Sequence, residues 1–274
     1  MRRDDIRKAL EAARAISNHH EFVVAGSLSV LGLIDTPPEA MSMSIDIDFF
    51  PLRDPGRAGD IASVLGEDSD FHLRHGYYLD AISPDLPVLP NGWCDRLIPV
   101  QLGLTTAFFL EVHDTAVSKY ARGNPNDYRW LEAGYEARIL MLDVVESRVR
   151  FGTTYFDDND RRKTGNGLLM HKIATQPDGS LSRGVLEYLH AHPPTSRLRD
   201  VDPDHGEYSG PILWVDDQYA IQSLGRGDLC VHNVRDCEEL PIVSGRAIVR
   251  YCDGKPSIIT NSPERECGSP PFPM

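Results

Sequence analysis

The stretch "MSMSIDIDFFP", Met41 to Pro51, decides how the rest of the chain is read. Ile45, Ile47, Phe49 and Phe50 give it the composition of a strand, yet two carboxylates, Asp46 and Asp48, stand two residues apart within it. In an extended strand alternate side chains share a face, so Asp46 and Asp48 lie together while Ile45, Ile47 and Phe49 point the other way. Like charges held that close repel unless something positive lies between them. A hard divalent cation, which takes oxygen ligands and keeps part of its water, is the simplest such partner. A solvated edge strand would show the same D-x-D pattern, so the reading turns on its surroundings.

Upstream, Asp4 to Asn18 has helix-forming composition, with Ile6, Leu10, Ala13 and Ile16 at helical spacing. A short apolar strand, Phe22 to Ala25, then reaches Gly26-Ser27, and a second apolar stretch follows. Glycine and a small hydroxyl residue between strand and helix make a tight turn, whose free amides can hold an anionic group. Downstream, "PLRDPGRAGD" is a loop and a helix is expected near Asp60 to Gly66. The segment from Phe71 to Leu102 reads as alternating strand and loop, with Asp80 unusually placed in mid-strand between apolar neighbours. A helical pattern from about Leu110 to Leu140 breaks at "GNPND"; Ala116, Lys119 and Tyr120 share a face, and Asn126 or Asp127 is positioned to cap the continuing helix.

The second half changes character. "FDDNDRRKTGNG" reads as a boundary or mobile loop, and a short helix spans Gly184 to His192. From Tyr208 onward, short runs of Ile, Val, Tyr and Trp alternate with turn sequences, giving a small all-β unit in which Asp253-Gly254 is the strongest hairpin signal. The expected organisation is therefore a domain over 1–150, a linker with one helix over 151–205, a β domain over 206–262 and a disordered tail over 263–274. The fold class is α+β.

Composition narrows the function. The chain has 274 residues, 41% hydrophobic and 25% charged, with no apolar run long enough to span a membrane and no secretory signal at its start, so a cytoplasmic location without membrane partners is expected. Five cysteines without a C-x-x-C pair point to free thiols. The net charge of -13 is spread over both halves, with 15 Lys and Arg against 23 Asp and Glu in residues 1–150 and 13 against 18 in the remainder. Such a chain repels a phosphate backbone, so non-specific binding of duplex DNA is not expected.

Taken in order, the first half gives strand, Gly26-Ser27, helix, a strand with Asp46 and Asp48, and a later strand with Asp80. Three carboxylates beside a glycine-serine turn suit two-metal phosphoryl transfer. Asp46 and Asp48 bridge the cations that bind a triphosphate, Asp80 helps hold the metal that activates the attacking hydroxyl, and the turn grips phosphates. Lys119, which by its local pattern reads as an exposed helix lysine, could in such a site neutralise triphosphate charge.

The run "GSLSVLG", "SIDIDFF", "GYYLDAISPDLPVLPNGWCDRLIPV" and "HDTAVSKYARGNPND" resembles nucleotidyltransferase-like proteins related to AbiEii-type and MenT-type toxins, over about Ile6 to Leu142. The resemblance implies a minimal nucleotidyltransferase fold, a mixed sheet flanked by helices, with Gly26 and Ser27 as phosphate turn and Asp46, Asp48 and Asp80 as metal carboxylates. Lys119, Gly123 and Asp127 match a run that contacts nucleotide in such proteins, but Asn124 replaces the usual arginine. From about Gly206 to Thr260 the chain is similar to the KfrB-type domain, carried by "YSGPILWVDDQYAIQ", "VHNV" and "GRAIVRYCDGK"; this implies association with mobile elements. His232 reads as a packed strand histidine.

The expected activity is Mg²⁺- or Mn²⁺-dependent transfer of a nucleoside monophosphate from a nucleoside triphosphate to the 3′ end of a tRNA or to a protein, in a toxin–antitoxin, phage-defence or plasmid-maintenance setting with a cognate antitoxin as partner. The alternative is a binding module that keeps the fold without turnover, supported by the substituted "GNPND" loop.

Overall fold

The structure is a computed structural model that describes residues 1–260 apart from 178 and 238. Five strands form the sheet on which the first half is built: β1 (Glu21–Val24), β2 (Asp46–Pro51), β3 (Tyr78–Ala81), β4 (Ile98–Leu102) and β5 (Thr105–Phe109), in the order β3-β2-β1-β5-β4. The pairings β1/β5 and β2/β3 are parallel, while β1/β2 and β4/β5 are antiparallel, so the sheet is mixed. Phe22, Val24, Ile47, Phe49 and Phe109 are fully buried in it. Each such side chain contributes roughly 1.5–3 kcal/mol relative to exposure. This is why an apolar segment tolerates two carboxylates on its other face. Ile45 departs from the expected alternation: it precedes the paired residues and is exposed.

Helix α1 (Arg3–Ser17) buries Ile6, Ala9, Leu10 and Ala13, ends on the left-handed cap Asn18, and leaves Ile16 exposed in its last turn. After β1 the chain turns at Gly26 into a 3-10 helix, Ser27–Gly32, rather than the α-helix expected there, and a short α2 (Glu39–Ser42) leads to β2. Helix α3 (Ala58–Leu65) lies where the sequence places it. Helix α4 (Asp70–His75) occupies the start of a segment read as strand and loop; the Ser69 hydroxyl accepts from the His72 amide and so caps its start, and Gly76 ends it in the left-handed region.

Helices α5 (Val112–Arg122) and α6 (Pro125–Glu136) are broken at Gly123 as expected. The cap differs: Asn124 is the N-cap of α6, Pro125 its first residue, and Asp127 completes a capping box by accepting from the Asn124 amide at 3.2 Å. Arg96 grips buried Asp114 near the start of α5 with two hydrogen bonds of 2.8 and 3.0 Å, and Arg148, on α7 (Leu142–Arg150), adds a contact at 3.3 Å.

The largest departure is α8 (Asp158–Ala174), which forms where a boundary or mobile loop is read. Its polar start is capped by the Asp157 carboxylate, which accepts from the Asp160 amide at 2.7 Å. Its buried residues are Thr164, Gly167, Leu168, Met170, His171 and Ala174, in which Thr164, Gly167 and His171 interrupt the apolar positions and blur the periodicity a sequence search looks for. Gly167 lets the Tyr120 ring come close: a Cβ there would lie 2.6 Å from Tyr120 Cδ1. The Tyr120 hydroxyl meets His171 Nδ1 at 2.7 Å. The first compact unit accordingly runs from Met1 to Leu181, past the expected boundary at 150.

The second unit begins at Ser182 and holds α9 (Arg183–Ala191) and a six-stranded sheet. Its strands are β6 (Leu198–Arg199), β7 (Glu207–Val215), β8 (Tyr219–Gly225), β9 (Asp228–Asn233), β10 (Arg246–Cys252) and β11 (Lys255–Thr260), in the order β11-β10-β7-β8-β9-β6. Asp253 and Gly254 take positive φ at the β10–β11 hairpin, as their dipeptide predicts. His232 is fully buried and hydrogen-bonded to the Tyr251 hydroxyl and Gln222 Oε1, each at 3.0 Å. Burial pushes its pKa down to about 4 and that of neighbouring Cys230 up to about 12, so both stay neutral and act in packing. Cys94, Cys230, Cys237 and Cys252 are free thiols; Cys267 and the tail over 263–274 lie outside the described residues. No helix among the described residues is long and apolar enough to cross a membrane.

Candidate active site

The β2/β3 register places Asp48 directly beside Asp80 and Asp46 beside Tyr78, so all four side chains share one face of the sheet. Asp46, Asp48 and Asp80 each bring a carboxylate oxygen within 4.8 Å of the others. Among the described residues, no basic side chain pairs with any of the three; Asp46 accepts from the Ser44 hydroxyl. The electrostatic load falls on Asp48. Burial, then the charges of Asp46 and Asp80, raise its pKa to about 6, against the pull of Arg122 and Lys119. Asp80 is also raised, by burial and by the charges of Asp46 and Glu67. Three hard oxygen donors that repel one another fit a divalent cation of the Mg²⁺ or Mn²⁺ type.

Gly26 is fixed by the same cluster. Its φ of +60° lies in the left-handed region, and a Cβ added there would stand 1.7 Å from Asp48 Oδ2. Only glycine lets the turn touch the carboxylate. Ser27 follows, and its hydroxyl accepts from Lys119 Nζ at 2.9 Å.

Lys119 is buried, 3% exposed, in the last turn of α5. Its ammonium also donates to Asp127 Oδ1 at 3.2 Å and lies 4.9 Å from the centre of the Trp130 ring. Burial lowers its pKa, opposed by Asp127. Asp127 is itself buried, yet its hydrogen bond from Arg122 and the Lys119 charge hold its carboxyl below the ordinary value, so the pair is ionic at neutral pH. Arg122 reaches both oxygens of Asp127, at 2.8 and 2.5 Å. With Lys119, Arg122 and the Asn124 amide on it, Asp127 anchors the two cations and the loop. The indole N–H of Trp130 is shared between the carbonyls of Ser27 and Met41, at 3.1 and 3.2 Å. One side chain thus ties the turn, the approach to β2 and Lys119 together.

The structure therefore brings Gly26, Ser27, Asp46, Asp48, Asp80, Lys119 and Asp127 to one region. Sequence reading gave no part there to three further residues, Ser44, Arg122 and Trp130, and read Asn124 only as a departure from the usual arginine. Ser44 was available from the alternation that pairs Asp46 with Asp48, and Arg122 from its position one helical turn after Lys119. Nothing local marks Trp130, whose partners are 89 and 103 residues away in sequence. Two clefts meet at the cluster, of about 510 and 450 Å³, both lined by Asp48, Arg122 and Asn124.

A family described as "Nucleotidyltransferase of unknown function (DUF6036)" matches residues 4–170, from α1 into α8, and the chain belongs to it. The KfrB domain matches residues 207–259, the span of β7 to β11. No curated protein and no solved structure matches the chain.

Proposed function

From membership of this nucleotidyltransferase family, we propose that the chain transfers a nucleoside monophosphate from a nucleoside triphosphate to an acceptor hydroxyl and depends on Mg²⁺, or Mn²⁺ in its place. The observation that carries this is the convergence of Asp46, Asp48 and Asp80 within 4.8 Å beside the Gly26-Ser27 turn. The acceptor oxygen attacks the α-phosphorus, the bond from that phosphorus to the oxygen bridging to the β-phosphate breaks, and pyrophosphate leaves with the electron pair. Asp46, Asp48 and Asp80 would hold the divalent cation, which when bound supplies positive charge to the phosphates and lowers the pKa of a coordinated hydroxyl. Asp80, the most exposed of the three, orients the acceptor hydroxyl and takes its proton. Lys119, fixed by Asp127 and Ser27, brings charge to the triphosphate side.

A fold kept only as a binding module needs no three carboxylates converging within 4.8 Å, least of all one whose pKa is driven up to about 6. The acceptor classes favoured are the 3′ end of a tRNA and a protein. The resemblance of the sequence to AbiEii- and MenT-type toxins, with the KfrB domain, favours a role in toxin–antitoxin, phage-defence or plasmid maintenance with a cognate antitoxin as partner, and the role is proposed to be cytoplasmic. The test is an assay with each of the four α-radiolabelled nucleoside triphosphates and Mg²⁺, offering total tRNA and cell lysate as acceptors, beside the Asp46→Ala/Asp48→Ala variant. Label transferred by the parent and lost in the variant supports the reading; no label from folded parent protein with any pool overturns it.

A further inference from the structure

The two clefts that share Asp48, Arg122 and Asn124 differ in lining, and the geometry points to a division of labour that rests on the transferase reading. The larger cleft seats the nucleoside triphosphate, with its base on an aliphatic wall and Lys163 of α8 on its phosphates, and the smaller cleft receives the acceptor.

A transferase with two substrates needs two approaches to one reacting centre. Both clefts reach Asp48, and the Arg122 and Asn124 side of the loop after α5 stands between them. Their charges are unequal. The larger cleft presents Lys119 and Arg122, both paired with Asp127, and adds Lys163, whose ammonium bonds only a backbone carbonyl among the described residues, against Asp48 and Asp160, whereas the smaller presents Arg122 and Arg129 against Asp46, Asp48 and Asp127. A triphosphate, the most anionic of the co-substrates, is favoured where cations predominate.

The apolar surface is unequal as well. Ile82, Leu86, Pro87, Val88 and Leu110 line the larger cleft and offer the flat face of a base a place to leave water. In the smaller cleft Ser27, Ser44, Asn124 and Asn126 bring hydroxyl and amide groups. Lys163 is set by a hydrogen bond from its ammonium to the Arg122 carbonyl at 3.0 Å, which aims it along the edge of the larger cleft and leaves donors to spare. It lies in the segment read from sequence as a boundary or mobile loop and belongs to none of the strand-and-turn motifs.

The test uses the full chain and ribose-fluorescent ATP, GTP, CTP and UTP with Mg²⁺, titrated by anisotropy, with thermal melts to verify folding. Val88→Trp and Leu86→Trp each narrow the larger cleft, the second at an exposed position that tolerates bulk. Asn126→Trp narrows the smaller one from the exposed first turn of α6. The expected result is at least a tenfold weaker Kd for the best nucleotide in both larger-cleft variants, and a change within about twofold in Asn126→Trp, which loses transfer to acceptor. Lys163→Gln should weaken the triphosphate about tenfold and the corresponding monophosphate less than about threefold. Weaker nucleotide binding in Asn126→Trp with none in the larger-cleft variants, or equal loss of tri- and monophosphate in Lys163→Gln, overturns the assignment while leaving the transferase standing. A folded parent that binds none of the four nucleotides overturns both.

Discussion

Replacing Asp48 by asparagine should make the metal-free protein more stable. Asp48 is forced toward its neutral form by burial and by the charges of Asp46 and Asp80, which move its pKa from 3.8 to about 6. The folded state therefore holds the Asp48 proton more tightly than the unfolded chain does. The stability tied to that proton is fully present below pH 3.8 and is lost as pH rises through about 6, so at pH 8 the ionised carboxylate works against the fold. The displacement corresponds to about 3 kcal/mol. Asparagine keeps the shape and carries no charge, so Asp48→Asn in EDTA at pH 8 should raise the stability of the first unit by about that amount, or about 6–12 °C in Tm. At pH 3.5 the gain should vanish, because the parent is already protonated. Adding Mg²⁺ should reverse the order. At a concentration a thousandfold above its Kd the parent gains about 4.1 kcal/mol, more than the variant's advantage, and the variant, short of a ligand, gains far less. Melts followed by circular dichroism at both pH values, with EDTA and with Mg²⁺, measure all of this. A variant no more stable than the parent at pH 8, or a gain that persists at pH 3.5, would refute the reasoning.

Other substitutions probe the surrounding scaffold. Gly26→Ala puts a Cβ 1.7 Å from Asp48 Oδ2 at a φ of +60°, so it should lower the melting temperature and abolish Mn²⁺ binding as read by electron paramagnetic resonance. Asp127→Ala strands the buried Lys119 ammonium and should cost about 3–5 kcal/mol by denaturant unfolding. Alkylation mapped by mass spectrometry should label exposed Cys94 in the first unit and exposed Cys252 in the second in the native protein, and reach buried Cys230 only on unfolding.

The carboxylate strand, the Gly26-Ser27 turn, the break at Gly123 and the β10–β11 hairpin were all legible because each depends on local rules: alternation, a glycine-only conformation, a Gly-Asn-Pro interruption of a helical pattern and an Asp-Gly turn. Helix α8 was not. Among its buried residues Thr164, Gly167 and His171 interrupt the apolar positions Leu168, Met170 and Ala174, and their meaning comes from Tyr120 on α5. Lys119 shows the same limit at the site. A lysine on a helix is by default exposed; only the tertiary partners Ser27, Asp127 and Trp130 make it a buried, ion-paired one. Sequence could say which side chains had suitable chemistry. It could not say that Trp130, far away in the chain, would hold those side chains in place.

The most direct measurement compares one triphosphate labelled in two positions. The nucleotide that binds best is supplied with its radiolabel at either the α- or the γ-phosphate, together with Mg²⁺, the protein and the acceptor pools of tRNA and lysate. Nucleotidyl transfer predicts that acceptor gains label from the α-labelled substrate alone, while the γ label leaves in pyrophosphate, and that Asp46→Ala/Asp48→Ala removes the signal. Label arriving from the γ position would mean phosphoryl transfer, and label unaffected by loss of the two carboxylates would mean that the chemistry lies elsewhere; either result contradicts the account.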